Sequence, residues 1–442
     1  MTAHDRRGRA VRVPSSRLSR LAGFGGMTTG IAGRALLDGA RRVGRGERPE
    51  LRDLILTPTN IARFTDELAR MRGAAMKLGQ LMSMDGGDVL PRELAEIMAR
   101  LRADADVMPP RQLRSVLAES WGTDWLKRFE TFDVRPIAAA SIGQVHRART
   151  RDGRDLAIKV QYPGVAASID SDIDNVVGLM RVSGLAPRGI DLAPLVAEAK
   201  RQLNEEADYA LEARNLKSYA AQIGDAPGFA LPRVQDDLSG RRVLAMSFVP
   251  GRPLEAAADA PQSVRDDIGH RLLALTMREI FEFGLMQSDP NLANYRYDAE
   301  TDRIGLLDFG AVRPIEPALV DGYRHLLEAG LAGNEAALEA AARGIGFIGE
   351  DTAPHHSKTL LLMAAMAFDA VRTDTPFDFG RSDLVSRLRD RALDLAAEPA
   401  FAEVPPIDVL YLQRKAAGVY LICRRLGARV NVKEVFEAGV NA

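Results

Sequence analysis

Two carboxylates and one amide follow one another at short spacings between residues 283 and 310. Asp289 lies in a Gln-Ser-Asp-Pro-Asn segment, Asn294 comes five positions later, and Asp308 ends an apolar run. Carboxylate and amide oxygens are ligands that Mg²⁺ prefers, and a carboxylate can also orient an attacking oxygen. The order therefore favours phosphoryl transfer, with Asp289 as the candidate catalytic residue and Asn294 and Asp308 as the candidate metal ligands. The alternative is that all three are ordinary turn residues.

A hairpin upstream presents a lysine and a loop of small side chains. The Asp152-Gly153 turn leads into residues 155–160, whose period-two alternation puts Lys159 on the face opposite the apolar side chains. There its ammonium group could bind phosphate. The loop before the hairpin would let backbone N–H groups approach a phosphate closely. Its residues are Ala138, Ala139, Ala140, Ser141, Ile142, Gly143 and Gln144. An ordinary hairpin with a solvated lysine is the alternative.

A helix predicted from residue 191 to about residue 219 carries acids that could pair with this lysine. A strand lysine that binds phosphates needs a helical carboxylate to hold it in place. Glu205 and Glu212 are seven positions apart and share a helix face, whereas Glu206 and Asp208 point elsewhere. The sequence leaves open which acid pairs with Lys159.

A second candidate cation lies in a helix predicted nearer the N-terminus. Thr59 or Asn60 could cap this helix, and apolar residues recur along it at spacings of three and four as far as Leu78. Lys77 and Gln80 are three positions apart, so they are neighbours on another face. Taken alone, Lys77 is most simply explained as a solvated lysine.

Helices and strands are also predicted around these motifs. Pro109-Pro110 starts a helix that should reach about Phe129, and strands are expected at 134–137, 231–234 and 241–248. The last of these strands contains Met246 and Phe248. Beyond Gln262 the pattern is mostly helical, with one helix stopping at Gly284, a typical C-cap residue. A second Asp-Phe-Gly, at residues 378–380, lacks a preceding apolar strand and is interpreted as a structural turn.

The composition narrows the class of protein. The chain has 442 residues, of which 46% are hydrophobic and 27% charged, so it can form two or three globular domains. A formal net charge of −1 gives no case for nucleic acid binding. The single cysteine, Cys423, excludes an intrachain disulfide and fits a reducing compartment. We expect His355 and His356 to form a solvated surface pair, because a metal site would need further ligands at suitable spacing.

The N-terminal 50 residues are rich in arginine and carry apolar residues at roughly helical spacing. Such a segment can lie in the interface of an anionic bilayer, and a basic tail or packing arm is an equal alternative. No stretch reaches the roughly 18 apolar residues of a transmembrane helix, and no secretory signal is evident. We therefore expect a cytoplasmic protein, either without a membrane contact or peripheral on the inner face of the membrane.

With these motifs in order, the chain resembles the UbiB family of atypical kinase-like proteins, also called the AarF or ADCK family, and especially its coenzyme-Q-biosynthesis branch. The resemblance runs from about Val13 to the C-terminus. The matching motifs are Lys77-Leu78-Gly79-Gln80, the alanine-rich loop 138–146, Ala157-Ile158-Lys159, Glu206-Ala207-Asp208, the segment from Gln287 to Asn294, and Asp308-Phe309-Gly310.

The resemblance implies an α+β fold, namely a two-lobed protein-kinase-like fold with an added N-terminal helical Lys-x-Gly-Gln extension. The corresponding segments are a basic segment at 1–50, the extension at 51–130, a kinase-like N-lobe at 131–250 and a helical C-lobe at 251–442. ATP and Mg²⁺ are the implied cofactors.

The resemblance also implies residue roles. Lys159 would bind the phosphates of ATP, Asp289 would be the catalytic-loop carboxylate, and Asn294 with Asp308 would hold Mg²⁺. Either Glu206 or Glu212 would pair with Lys159 or contact Lys77. The nucleotide would also contact the loop 138–144 and the strand residues Met246 and Phe248. The regulatory group would consist of Lys77, Gln80, Glu206 and Asp208.

Three functions compete at this point. The family is associated with ATP hydrolysis, membrane stimulation and ubiquinone biosynthesis, which implies an Mg²⁺-dependent ATPase or an atypical kinase with a small or lipid acceptor. Its expected partners are anionic lipid, a quinone precursor and quinone-biosynthesis enzymes. The alternatives are a nucleotide-gated lipid-binding or scaffolding protein and a conventional protein or small-molecule kinase. The sequence gives no oligomeric state.

Several departures from the kinase and family patterns bear on which phosphoryl acceptor is expected. Gln287-Ser288 stands where protein kinases have His-Arg, and no Ala-Pro-Glu segment follows Gly310. Ser247 stands where many family members carry Glu, and the catalytic loop is poorer in histidine than is common. These departures argue against a peptide acceptor and leave the acceptor open.

Overall fold

The structure is a computed structural model that describes residues 68, 71–82, 107–182, 192–224, 226–369, 372–396, 398 and 405–441. The basic segment predicted at 1–50, the caps predicted at Thr59 and Asn60, and the side chain of Gln80 lie outside this description. Within the described ranges, no helix combines the length and the apolar character needed to cross a bilayer.

Helices and strands both contribute to the described part of the chain, which confirms the α+β class. The helices are α1 (Arg72–Met82), α2 (Pro110–Trp121), α3 (Val165–Val182), α4 (Ala193–Glu206), α5 (Tyr209–Ile223), α6 (Gln262–Phe281), α7 (Pro317–Ala332), α8 (Glu335–Gly344), α9 (Pro354–Asp369), α10 (Leu384–Ala396), α11 (Ile407–Leu426) and α12 (Val432–Val440). The strands are β1 (Phe129–Phe132), β2 (Ala138–Ala139), β3 (Gly143–Thr150), β4 (Asp155–Gln161), β5 (Phe229–Ala230), β6 (Val243–Ser247), β7 (Arg252–Pro253), β8 (Leu285–Gln287), β9 (Tyr295–Asp298), β10 (Arg303–Leu306), β11 (Val312–Pro314), β12 (Phe377–Asp378) and β13 (Arg429–Val430).

The first compact unit contains the described residues up to Glu212 together with Val234–Phe248. Its antiparallel sheet has the strand order β1-β3-β4-β6, and β2 pairs with β3. The predicted Asp152-Gly153 turn joins β3 to β4, with Gly153 at φ +90°, a conformation that favours glycine. Helix α2 packs on this sheet around the buried Trp125. The apolar face predicted for α1 is confirmed, because Met71, Ala75 and Leu78 are all buried.

The second compact unit contains Ala213–Arg233 and the described residues from Val249 onward. Its largest sheet has the order β5-β10-β9-β7, and two-stranded sheets pair β8 with β11 and β12 with β13. Phe379, in the second Asp-Phe-Gly, is buried just after β12, as expected of a structural turn. The segment boundaries predicted at residues 50, 130 and 250 remain a proposal.

Several local predictions were wrong. The strand predicted at 231–234 is reduced to a single bridge between Val234 and Met246. Helix α2 ends at Trp121 rather than near Phe129, because Gly122 adopts φ +87° and its N–H bonds to the carbonyl of Ala118. The strand predicted at 134–137 is absent from the described structure, where Phe129–Phe132 forms β1 instead. Pro136 interrupts the predicted strand, because proline has no N–H for a ladder hydrogen bond.

Candidate functional site

In the first unit, the strand lysine forms a buried ion pair with a helix. Lys159 lies on β4 between β3 and β6, and its Nζ is 2.5 Å from Oε1 of Glu212 on α5. The two side chains are only 10% and 3% exposed. Of the acids that the sequence left open, the structure therefore pairs Glu212 with Lys159. A lysine held in this way is oriented for a ligand anion.

The sequence could not distinguish Glu206 from Glu212 because it predicted one helix where there are two. Helix α4 ends at Glu206, and α5 begins at Tyr209. Oδ1 of Asp208 accepts hydrogen bonds from the N–H groups of Ala210 and Leu211, each at 3.0 Å, so Asp208 caps the second helix. The break makes Asp208 a structural cap and puts the two glutamates on separate helices.

Glu206 joins the N-terminal helix to the small-residue loop. Lys77 donates to Oε1 of Glu206, and the Ser141 hydroxyl donates to Oε2, both at 2.6 Å. Lys77 is 5% exposed, so the interpretation of it as a solvated lysine is wrong. Helix α1 also lies against the loop, because a Cβ added to Gly73 would be 3.1 Å from the Ser141 carbonyl oxygen. Lys77 and Ser141 therefore share one carboxylate.

The loop 138–144 is exposed at its start and buried at its end. Ala138 and Ala139 are exposed, whereas Ile142 and Gln144 are buried. The Gln144 side chain accepts from the N–H of Met108 at 2.9 Å and contacts Nε2 of His146 at 2.8 Å. That amide therefore belongs to the core. In a nucleotide-binding role, the exposed backbone of the loop is the part that could meet a phosphate.

Gly143 allows this loop to pack closely. A Cβ at Gly143 would lie 2.5 Å from the carbonyl oxygen of Val160 and 2.7 Å from the hydroxyl of Tyr209. Any larger residue would therefore push the loop away from β4 and α5. The sequence predicted a small residue here for phosphate access, and the structure adds a packing reason.

The candidate nucleotide residues Met246 and Phe248 lie at the end of β6. Met246 is buried and pairs with Ala157 of β4. Phe248 donates its backbone N–H to the Asp155 carbonyl, and its ring lies 4.2 Å from the Arg147 guanidinium carbon. Backbone pairing with β4 thus fixes the positions of both residues.

In the second unit, the candidate metal ligands line one small cavity. Asn294 and Asp308 both contribute to its wall. The amide nitrogen of Asn294 donates to the carbonyl oxygen of Asp289 at 3.0 Å and to its Oδ2 at 3.3 Å, so the amide oxygen is the atom of this side chain suited to a cation. Oδ1 of Asp308 accepts from the N–H of Gly310 at 3.0 Å. This set of hard oxygen donors fits Mg²⁺.

A buried charge network supports the loop that carries the candidate catalytic residue Asp289, and this network was not predicted from the sequence. Glu279 of α6 is fully buried; its Oε2 is 2.5 Å from Nζ of Lys415 on α11, and its Oε1 accepts from the hydroxyl of Tyr219 and the N–H of Gln287. Burial raises the pKa of Tyr219 well above its usual range, so the hydroxyl remains a donor. Burial alone would lower the pKa of Lys415, but the Glu279 carboxylate holds it above its ordinary value.

A sequence signal for this network does exist. Glu279 lies four positions after Leu275 and seven after Leu272, so it falls on the apolar face of the predicted amphipathic helix. Lys415 lies between Leu412 and Val419 on the buried face of α11 in the same way. A charge in an apolar stripe indicates a buried partner. A second cation of α11, Arg414, bonds to Asp289 itself.

The paired histidines and the single cysteine lie outside this arrangement. His356 is buried rather than solvated, and Nε2 of His355 and of His356 lie 3.2 and 2.8 Å from Oε2 of Glu398. Their ligand atoms are close enough for a metal ion, but hydrogen bonding accounts for the group without one. Burial raises the pKa of Cys423 to about 12, so its thiol is not a nucleophile near neutral pH.

Comparison with known proteins identifies the family. The model of the ABC1 atypical kinase-like domain matches residues 100–342, more than half of the chain. The mitochondrial atypical kinase coq-8 of Caenorhabditis elegans is 37% identical over 437 residues, which cover 96% of this chain and 57% of that protein. The mitochondrial atypical kinase COQ8 of Saccharomyces cerevisiae is 36% identical, with 96% and 85% covered. The chain thus spans little more than half the length of the first relative.

A solved structure agrees with this result. The Mycobacterium tuberculosis protein Rv3197, in its complex with erythromycin, matches with a TM-score of 0.60 and 26% identity over 81% of this chain and 89% of that one. The kinase-like fold and the UbiB, AarF and ADCK resemblance predicted from the motifs are confirmed. The chain belongs to the ABC1 atypical kinase-like family.

Proposed function

We propose that this protein is an Mg²⁺-dependent ATPase or atypical kinase that supports coenzyme Q biosynthesis at a membrane surface. Lys159 would bind the phosphates of ATP, Asn294 and Asp308 would hold Mg²⁺, and Asp289 would orient the attacking oxygen. When bound, Mg²⁺ would neutralise charge on the phosphates. The exposed backbone of the loop 138–144 and the strand residues Met246 and Phe248 would complete the nucleotide contacts.

The pairing of Lys159 with Glu212 carries this proposal furthest. Burying a lysine and a glutamate is costly unless their geometry is good, so a pair that is about 90% buried or more needs a role for its fixed geometry. For Lys159, on the hairpin strand that follows the small-residue loop, the role that fits is phosphate binding, because the carboxylate holds the ammonium group in place. The oxygen donors of Asn294 and Asp308 in one cavity supply the matching cation chemistry.

The segment after Asp308 favours water or a small acceptor over a peptide. Strand β11 pairs with β8 directly after Gly310, and helix α7 begins at Pro317. This leaves no room for the long activation segment on which protein kinases bind peptides. The relatives named as COQ8 kinases connect the family with coenzyme Q, and the basic N-terminal residues offer a contact for anionic lipid. These two points support the proposed peripheral position on the inner face of a membrane.

The test is ATP hydrolysis by the purified protein with Mg²⁺, measured with and without anionic liposomes and a phenolic quinone-precursor mimic. Asp308→Asn is the test variant, and Asp374→Asn, at a side chain that is 85% exposed, is the control. We expect turnover that rises with liposomes, falls at least about 100-fold in Asp308→Asn, and is unchanged in the control.

Two other outcomes would contradict the proposal in different ways. Absence of turnover, together with a melting shift of a few degrees in Mg-ATP, the size expected from about 2–3 kcal/mol of ligand stabilisation, would support a nucleotide-gated scaffold. Absence of both turnover and binding under every lipid condition would remove ATP from the function altogether.

A further inference from the structure

One face of helix α11 is directed at the catalytic loop. Tyr411, Arg414, Lys415 and Gly418 are spaced i, i+3, i+4 and i+7, so they share a face of this helix. Each of them contacts the loop or a residue that holds it. Helix α11 lies beyond the residues that the family model matches.

The two cations on this face hold the catalytic loop at separate points. Nη2 of Arg414 donates to Oδ1 of Asp289, and the two side chains are 14% and 24% exposed. Lys415 pairs with Glu279, whose other oxygen accepts from the N–H of Gln287 at 3.0 Å. Helix α11 thus holds the Asp289 carboxylate directly, and it holds the backbone N–H of Gln287 through Glu279.

The other two residues of the face bring α11 close to the loop. A Cβ added to Gly418 would overlap Pro290, the residue after Asp289, so glycine permits the close approach. Beside it, the ring of Tyr411 lies 4.2 Å from the guanidinium carbon of Arg313 on β11. Strand β11 in turn pairs with β8, the strand that leads into the loop. The contact between α11 and the loop region is therefore extended rather than a single ion pair.

We propose that Arg414 is a positioning residue for Asp289, and that α11 supplies the arginine charge that the catalytic loop itself lacks. Gln287-Ser288 precedes Asp289 where protein kinases carry His-Arg. Oδ1 of Asp289 is fixed by Arg414, and Oδ2 faces the Asn294 amide at 3.3 Å. The carboxylate is thereby held in one orientation. This inference rests on the proposed role of Asp289 in ATP turnover.

A positioning role predicts a loss of kcat rather than of nucleotide binding. In Arg414→Gln we expect kcat for Mg-ATP hydrolysis to fall about 10- to 100-fold, because misplaced catalytic groups cost factors of this size. The KM for ATP should stay within about twofold, since ground-state contacts are kept. Arg414→Lys should recover part of kcat. Arg425→Gln, on the same helix but 61% exposed and paired with Glu255, is the control and should behave as wild type.

Hydrogen–deuterium exchange of residues 285–298 tests the same claim without turnover. The backbone amides of this segment should exchange faster in Arg414→Gln than in wild type or Arg425→Gln, and circular dichroism should show that each variant is folded. Unchanged exchange in Arg414→Gln and Arg414→Lys would overturn the inference, even if wild type hydrolyses ATP. A rise in the KM for ATP with unchanged kcat would also overturn it, because Arg414 would then bind the nucleotide itself. If wild type has no turnover, the proposed function fails. Faster exchange in Arg414→Gln would still support the role of Arg414 in positioning Asp289.

Discussion

The two compact units each contain a buried lysine–glutamate pair, and the lysine of the first pair is the more exposed of the two. Lys159 and Glu212 join β4 to α5 in the first unit, and Lys415 and Glu279 join α11 to α6 in the second, each with a separation of 2.5 Å. Lys159 belongs to the recognisable hairpin motif, whereas Lys415 belongs to no motif. The same chemical pair thus contains a candidate ligand-binding lysine in the first unit and contacts the start of the Asp289 loop in the second.

Glu279 also binds groups outside its ion pair, and the pair lines the same cavity as Asn294 and Asp308. Its two oxygens together serve Lys415, the hydroxyl of Tyr219 and the N–H of Gln287, and the side chain is fully buried. Lys159 instead retains 10% exposure. We infer that the first pair holds a cation for a ligand and the second holds a loop in position.

The largest expected effect is on stability when one partner of either pair is removed. Lys159→Met and Lys415→Met should each lower the free energy of unfolding by about 3–5 kcal/mol, because each leaves a buried carboxylate without its lysine. Arg425→Met, which breaks an exposed pair on α11, should cost at most about 1 kcal/mol. Denaturant titration followed by circular dichroism measures all three. Equal small losses in all variants would show that neither buried pair matters to stability.

Replacing both partners should then separate the two pairs. The double variants Lys159→Met/Glu212→Gln and Lys415→Met/Glu279→Gln should each regain part of the lost stability, because no unpaired charge remains buried. Of the two double variants, only Lys415→Met/Glu279→Gln should bind Mg-ATP. The Lys159→Met/Glu212→Gln variant still lacks the cation that would bind the phosphates. Nucleotide binding by both double variants would remove the distinction between a ligand-binding pair and a loop-holding pair.

A smaller effect is expected from the third pair, Lys77 with Glu206. If this pair restrains the loop through Ser141, then Lys77→Met should change the Kd for ATP about fivefold or more, or raise autophosphorylation. Isothermal titration and a labelled-ATP assay measure both. Lys200→Met, on α4 but in a pair with the 60% exposed Asp174, is the control. The same Kd in Lys77→Met as in wild type would argue against a restraint.

Residues that are near one another in the chain were predictable, and contacts that cross long distances in the chain were not. Asp289, Asn294 and Asp308 were found because their spacing is short, and the hairpin was found because Asp152-Gly153 is a strong turn signal. The contact of Asp289 with Arg414 spans 125 residues, and no local pattern encodes it. The pairing of Glu212 with Lys159 could not be predicted, because periodicity alone predicts one continuous helix. The side chain of Asp208 instead bonds to the backbone and starts a second helix there.

The smallest predicted effect is a pH dependence confined to the first unit. Burial lowers the pKa of His146 from its ordinary value of 6.5. Because Nδ1 of its ring bonds to the carbonyl of Asp133 and Nε2 meets the amide nitrogen of Gln144, the neutral ring fits both partners. Protonation would place a second N–H against an N–H donor.

The sign of the effect follows from the lowered pKa. The unfolded chain takes up a proton at His146 near pH 6.5, before the folded chain does, so stability is full above that pH and falls as the pH drops below it. Both tryptophans of the chain, Trp121 and Trp125, lie in the first unit, so their fluorescence during denaturant unfolding reports this unit. The loss of stability below pH 6.5 should shrink in His146→Asn, even if that variant is less stable throughout, and should persist in His270→Asn, where the histidine is exposed and lies in the second unit. An identical pH slope in His146→Asn and wild type would show that the buried ring is not the group that titrates.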